Sequence, residues 1–231
     1  MNALVRRLAK LAFLTTILAF AVATASAQTT GSVTINGSVA KSASIRWWSF
    51  SALNSETGSN SPNTQNSPLL FTINVGDVSP ANSNTYAGGK VKVILRTNAA
   101  YALSAQVTAS SGFGSAAGDL RLSDVGFGLA NLANSGALVF GDPATNSVVA
   151  GSFGNDPSTA SKDADGVPSF PTSLSNVSSA TQVLSGPRIS KAGSVTSPNN
   201  GLLVDTIYAI GPQYFTPTTF SATVTYTITT P

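Results

Sequence analysis

Cysteine and histidine are both missing from this sequence, and glutamate occurs once, at Glu56. Without cysteine no disulfide can staple the chain, so whatever folds here is held by its core alone. Roughly 200 residues is long enough for that. Without histidine, a serine or threonine nucleophile lacks its usual base. Charge is scarce as well: only 9% of the residues are Asp, Glu, Lys or Arg. Ser, Thr and Asn must therefore carry most of the solvation, a composition suited to an extracellular β-protein with hydroxyl-covered strands.

The net positive charge of +3 is accounted for by three residues at the start. Arg6, Arg7 and Lys10 precede a mostly apolar run from Leu11 to Val22, and Ala25-Ser26-Ala27 supplies small residues for cleavage before Gln28. This is the pattern of a signal peptide over residues 1–27, for general secretion, and the run is too short and wrongly flanked for a membrane span. Arg6-Arg7 lacks the apolar pair a twin-arginine leader would carry, since Ala9-Lys10 follow. Once the leader is removed, nine Lys and Arg face nine Asp and Glu. A neutral protein has no basic face with which to displace counterions from nucleic acid, which argues against that partner. The implied address is secreted or cell-surface, reached through the periplasm, with no membrane contact after cleavage.

The most regular stretch lies near the C-terminus. Phe220, Ala222, Val224, Tyr226 and Ile228 share one parity; Ser221, Thr223, Thr225, Thr227 and Thr229 share the other. Period-two alternation of β-branched and aromatic residues predicts a strand with one dry face and one hydroxyl-rich face. Similar patterns predict strands over Gly31–Ile45, Leu69–Val75, Lys90–Thr97, Tyr101–Thr108, Gln182–Leu184 and Leu202–Ile210. Asn98-Ala99-Ala100 reads as a short hairpin connection. Arg46-Trp47-Trp48 extends the first strand into an edge or corner. Residues 51–68 and 79–89 read as turn-rich loops.

The pattern weakens over about 110–185. Phe-Gly recurs at Phe113, Phe127, Phe140 and Phe153, which suggests strand ends where glycine lets the backbone bend away after a buried ring. No stretch after the leader forms an amphipathic helix. Short strands separated by Gly, Pro, Asn and Ser clusters predict an all-β fold: an immunoglobulin-like antiparallel β-sandwich with long loops, preceded by the signal-peptide helix, as one domain over 28–231.

Candidate chemistry is thin. Ser161-Lys162 and Ser190-Lys191 are nucleophile–base pairs in composition only, because adjacent strand residues face opposite ways. Paired carboxylates for glycoside hydrolysis would have to come from Glu56 and eight aspartates, most of them in turns beside Gly, Pro or Ser. Ser161 to Gly166 resembles the front of a calcium loop within the loop-like segment 154–171, but Thr172 stands where a bidentate Glu is required. A surface turn is the simpler reading, and no cofactor is expected. Asn36-Gly37-Ser38 and Asn176-Val177-Ser178 match the glycosylation sequon, though the leader is of bacterial type. Trp47 and Trp48 are candidates for a sugar-stacking platform, with at most one of them entering the core.

Gly31-Ser-Val-Thr-Ile-Asn-Gly-Ser-Val-Ala-Lys-Ser-Ala-Ser-Ile45 and Phe220–Ile228 together resemble the opening and closing strands of bacterial fimbrial subunits. These are assembled by chaperone and usher; related spore-coat-like secreted pilins share the pattern. Ala43 stands where that family commonly has a cysteine. The resemblance implies an incomplete sandwich whose missing strand comes from the next subunit. Val33, Ile35, Gly37 and Val39 would then be the inserted assembly row, with Phe220, Ala222, Val224, Tyr226 and Ile228 lining the groove that receives it. Partners would be other copies or related subunits, joined by strand pairing.

The expected function is thus a secreted, non-enzymatic structural or adhesive subunit of a bacterial surface structure. The alternative is a monomeric extracellular module that binds glycan or cell wall through Trp47 or Trp48 and loop aromatics such as Tyr214 and Phe215.

Overall fold

The structure is a computed structural model that describes residues 34–59, 71–80, 85–137, 139–140, 147–148, 153–193 and 200–231, with backbone alone at 47, 48, 59, 147 and 148. The leader, its cleavage point and Val33 lie outside the described residues, as do the indoles of Trp47 and Trp48. The chain divides into two units, one ending at Val39 and the other running from Ala40 to Pro231.

In the second unit the strands are β1 (Ala43–Ala52), β2 (Thr57–Ser59), β3 (Thr72–Asn74), β4 (Ala87–Thr97), β5 (Tyr101–Ser111), β6 (Val125–Asn134), β7 (Ser147–Val148), β8 (Thr181–Gly186), β9 (Leu202–Ile210) and β10 (Ser221–Thr229). They form two four-stranded sheets, β1-β4-β9-β6 and β10-β5-β8-β7, and β2 pairs with β3 in a small third sheet. All the pairings are antiparallel. The inward rows of the two large sheets share one core. Val91, Val93 and Leu95 come from β4, Tyr101, Leu103 and Ala105 from β5, with Phe127, Leu129, Val183, Leu184, Leu202 and Val204 between them. This is the all-β antiparallel sandwich that the alternation implies.

Four sequence expectations differ from what is found. Residues 98–100 do not close a hairpin. β4 pairs with β1 and β9, whereas β5 pairs with β10 and β8, so the connection turns a corner from one layer to the other. Alternation assigns each strand a face and says nothing about which neighbour it bonds. Two inward rows satisfy it equally well side by side or stacked across the core. The corner is pinned by Thr97, whose Oγ1 accepts from Ala99 N at 3.1 Å, and by Asn98, whose Nδ2 donates to Ala40 O at 2.9 Å.

The first strand begins at Ala43, and residues 34–42 form none. Loop segment 51–68 contributes the end of β1 and the whole of β2.

The Phe-Gly pairs have no common role. Phe127 is fully buried in the middle of β6, Phe153 is buried in a loop, Phe113 is half-buried and Phe140 is exposed. Gly128 is needed for a close approach: a Cβ there would stand 2.2 Å from Asn155 O. Only without a side chain can the 153–156 segment lie against β6.

Candidate functional site

The four outer strands of the sandwich are treated differently. β6 is covered by the segment that follows β7: Phe127 N donates to Thr172 O at 3.0 Å and Leu129 N to Phe153 O at 2.7 Å. Thr172 Oγ1 donates to Phe127 O at 2.6 Å, so the residue at the twelfth place of the calcium-like loop serves this edge instead. On the opposite side of the sandwich, β1 and β10 approach each other, each ending its own sheet. Lys41 Nζ donates to Pro231 O and links the start of one to the end of the other. Among the described residues nothing pairs with the outer side of β10.

β10 carries out its alternation over most of its length. Val224, Tyr226 and Ile228 are half-buried against the core, while Thr223, Thr225, Thr227 and Thr229 are exposed. The exposed row forms hydroxyl pairs with β5, Thr108 to Thr225 at 2.8 Å and Ser111 to Ser221 at 2.9 Å. The register shifts between Thr223 and Val224, with Thr108 of β5 left unopposed, and Ala222, beyond that shift, is exposed. Phe220, just before the strand, packs edge-on to Phe113 with centroids 5.7 Å apart. Of the five residues expected to line a groove, Val224, Tyr226 and Ile228 on the strand and Phe220 just before it are half-buried against the core, and Ala222 is exposed.

Tyr226 is the polar member of that row. Its hydroxyl meets Tyr208 Oη at 2.5 Å, enclosed although both side chains are only half-buried by area. Burial pushes the Tyr208 phenol up to about 12, and burial together with the neighbouring phenol pushes Tyr226 well above its ordinary value. Both are neutral hydrogen-bonding groups over the whole physiological range.

On the assembly row, Ile35 and Val39 are each 92% exposed. Gly37 has no atom within 4 Å of the place a Cβ would take. Trp47 pairs with Val93, and the register then shifts between Trp47 and Ser49, so the two tryptophans occupy a bulge in β1. Tyr214 is 91% exposed and Phe215 half-buried, both in the β9–β10 connection.

The remaining candidates are committed to structural bonds. Ser190 Oγ is buried, donating to Asn200 O at 2.6 Å and accepting from Thr97 N at 3.2 Å, while Lys191 Nζ donates to Ala137 O. Lys162 Nζ lies 4.8 Å over the Tyr86 ring. Glu56 accepts from Asn54 N at 2.7 Å and Gly88 N at 2.9 Å. In the calcium-like loop, Asp163 Oδ1 accepts from Asp165 N at 3.0 Å and Val167 N at 2.8 Å, a turn closed on its own backbone with Gly166 at φ +82°. Among the described residues no three Asp, Glu, His or Cys side chains gather to hold a metal, and no helix is long and apolar enough to cross a membrane.

No protein-family model, curated protein or solved structure matches the chain.

Proposed function

We propose that the protein is a secreted, non-enzymatic structural subunit of a bacterial surface assembly, of the fimbrial kind its terminal stretches resemble. Copies or related subunits join by strand addition. The apolar row Val33, Ile35, Gly37 and Val39 of one molecule lies along β10 of the next, at the side of the sandwich where β1 and β10 end their sheets. Backbone hydrogen bonds supply the affinity, and alternate side chains fill the gaps beside Val224, Tyr226 and Ile228.

The observation that carries this reading is the state of β10. It spans nine residues with no proline and no charged side chain along its length, and it is half-buried rather than buried on its dry face. Monomeric β-proteins protect such edges with charge, proline or a covering segment, as the 153–173 segment covers β6 here. An uncharged edge in the one unit and, in the other, Ile35 and Val39 open to solvent would supply the two halves of a strand-pairing joint.

Size-exclusion chromatography with light scattering tests it. The exported chain from Gln28 should form oligomers or polymers, and a variant lacking residues 28–39 should run as a folded monomer with an unchanged β-type circular dichroism spectrum. A truncated variant that folds and assembles like the parent would remove the donor role.

A further inference from the structure

Five large apolar side chains are exposed among the described residues: Ile35, Val39, Phe140, Val167 and Tyr214. Two belong to the assembly row, and Phe140 has Arg188 and Lys191 over its ring at 4.6 and 5.6 Å. The other two, Val167 and Tyr214, line one cleft of about 600 Å³, together with Phe215, Gln213, Asp119 and Arg121. That volume lies within the roughly 300–1,000 Å³ typical of small-ligand sites.

The cleft lies at a defined pole of the sandwich. Val125 of β6 pairs with Ile210 at the end of β9, Ala87 at the start of β4 pairs with the same residue, and Ser221 of β10 pairs with Ser111 at the end of β5. The β5–β6 and β9–β10 loops that leave these strand ends form its walls together with residues 162–167 of the β7–β8 connection. The corner at 98–100, where Asn98 holds Ala40, is the opposite pole.

Its walls are fixed before any ligand arrives. Thr216 N donates to Gly118 O at 2.8 Å, tying the aromatic loop to the β5–β6 loop. Gly118 has φ +87°, and a Cβ there would meet Thr216 Oγ1 at 3.3 Å. The β5–β6 loop is itself braced: Asp119 Oδ2 accepts from Ala116 N at 2.9 Å, and Arg121 Nη2 donates to Ser115 O and Ala116 O at 3.3 and 3.2 Å. Pro168 of the third loop packs where a Cβ of Gly211 would stand. Tyr214 is thus an exposed ring on a braced loop, and pre-organisation of this sort lowers the entropic cost of binding.

We infer that this cleft binds a neutral carbohydrate of one or two rings. A tyrosine face offers an apolar platform with a polar rim, which suits the C–H face of a sugar. Asp119, Arg121 and Gln213 supply acceptor, donor and mixed amide groups for ring hydroxyls. Its ionisable lining balances three carboxylates, Asp119, Asp124 and Asp165, against Arg121 and Lys162. This near-neutral mixture suits a polyol better than a phosphate, a sulfated glycan or nucleic acid. The cleft belongs to the sandwich unit alone, so this inference stands whether or not copies join through β10.

An array of neutral hexose and N-acetylhexosamine oligosaccharides, printed beside sialylated and sulfated ones, tests it on the exported chain from Gln28. At least one neutral glycan should be retained. Tyr214→Ala should weaken that retention at least about tenfold, Tyr214→Phe should hold it within about threefold, and neither should shift thermal unfolding, because the ring is exposed. Retention of anionic glycans only, of none at all, or unchanged retention by Tyr214→Ala would each overturn the assignment. If binding persists in Tyr214→Ala but fails in Trp47→Ala or Trp48→Ala, the platform lies on β1 instead.

Discussion

The hydroxyls of Tyr208 and Tyr226 meet at 2.5 Å, joining β9 of one sheet to edge strand β10 of the other. The Phe127 ring stands against both, with centroids 5.6 Å from Tyr208 and 6.4 Å from Tyr226. The edge proposed to receive a neighbour's strand is therefore tied across the core by this hydrogen bond inside an aromatic cluster, with the Thr206 side chain also bonded to both phenols. That bond keeps β10 from peeling away while its outer side stays open.

Removing one hydroxyl should loosen this tie. Tyr226→Phe leaves the Tyr208 hydroxyl short of a partner and should cost about 1–2 kcal/mol. The double variant Tyr208→Phe/Tyr226→Phe should cost less than the sum of the singles, because no enclosed group is left behind. Denaturant unfolding of the four proteins closes the cycle. Additive costs would mean that the two hydroxyls do not act together.

The same pair sets the alkaline limit. Both folded phenols are held above their ordinary value of 10.0, Tyr208 at about 12 and Tyr226 well up. Their contribution is complete below pH 10. As pH rises past 10 the unfolded chain releases protons that the folded one keeps, so stability falls until the folded phenols also ionise, from about 12 upward. Tyr101, raised by burial, adds to this slope. Unfolding free energy measured from pH 8 to 12 should be flat and then fall, less steeply in the double phenylalanine variant.

Asp156 acts at the other end of the scale. Burial pushes its carboxyl up, but hydrogen bonds from Lys90 and Ser158 outweigh that and hold it below its ordinary value. Its contribution is present above the ordinary carboxylate range and lost as pH falls through the lowered value. Lys90 Nζ stands 2.5 Å from Asp156 Oδ2, with both side chains partly exposed. Asp156→Asn should therefore cost only about 0.5–1 kcal/mol while freeing the segment that covers β6. Faster hydrogen exchange at the Leu129 amide, with little change in melting temperature, is the expected signature. Unaltered exchange would show that the ion pair does not hold the segment.

Glu56 has a backbone task that its isolation as the only glutamate did not suggest. Its two oxygens take the Asn54 and Gly88 amides, and Gly88 sits at φ +136° with Tyr208 O 2.1 Å from where a Cβ would be. Glu56→Ala leaves the buried Gly88 N–H without its acceptor and should lower stability by about 1–3 kcal/mol. Glu56→Gln should recover part of that. Equal losses in the two variants would point to packing instead of the hydrogen bonds.

Charge on the exposed row should separate assembly from folding. Ile35→Asp with Val39→Asp places carboxylates where the parent is 92% exposed at both positions. Thermal unfolding of the sandwich should be unchanged, and light scattering should report monomers. A charged variant that still polymerises would move the joint elsewhere.

Much of the architecture was legible because alternation is a local property. Leu202–Ile210 is a strand over the span its pattern predicts, and Ser221–Thr229 differs from its predicted span by a residue at one end. β6 was not legible, since Gly126 and Gly128 leave its second face without side chains at those positions and Asn131 breaks the row of Val125, Phe127 and Leu129. Each answers to a distant contact: Phe170 packs on Gly126, Asn155 on Gly128, and Asn131, at φ 52°, donates to Asp205 Oδ2 at 2.8 Å. The cleft was half legible. Tyr214 and Phe215 stood out as loop aromatics, while Asp119, Arg121 and Gln213 carry no sequence signal because loops have no period.

The order of residues by itself determined that strands form, which side of each is dry, and that no histidine- or cysteine-dependent chemistry is available. A two-residue period dictates those properties without reference to anything beyond the strand. Only the tertiary structure decided that the chain turns from one layer to the other at 98–100, that β6 is covered while nothing among the described residues covers β10, and that three loops meet around Tyr214. Those outcomes depend on which backbone lies beside which, and the hydrogen-bonding groups of a peptide are the same at every position, so the choice among partners is made by the packing of the whole.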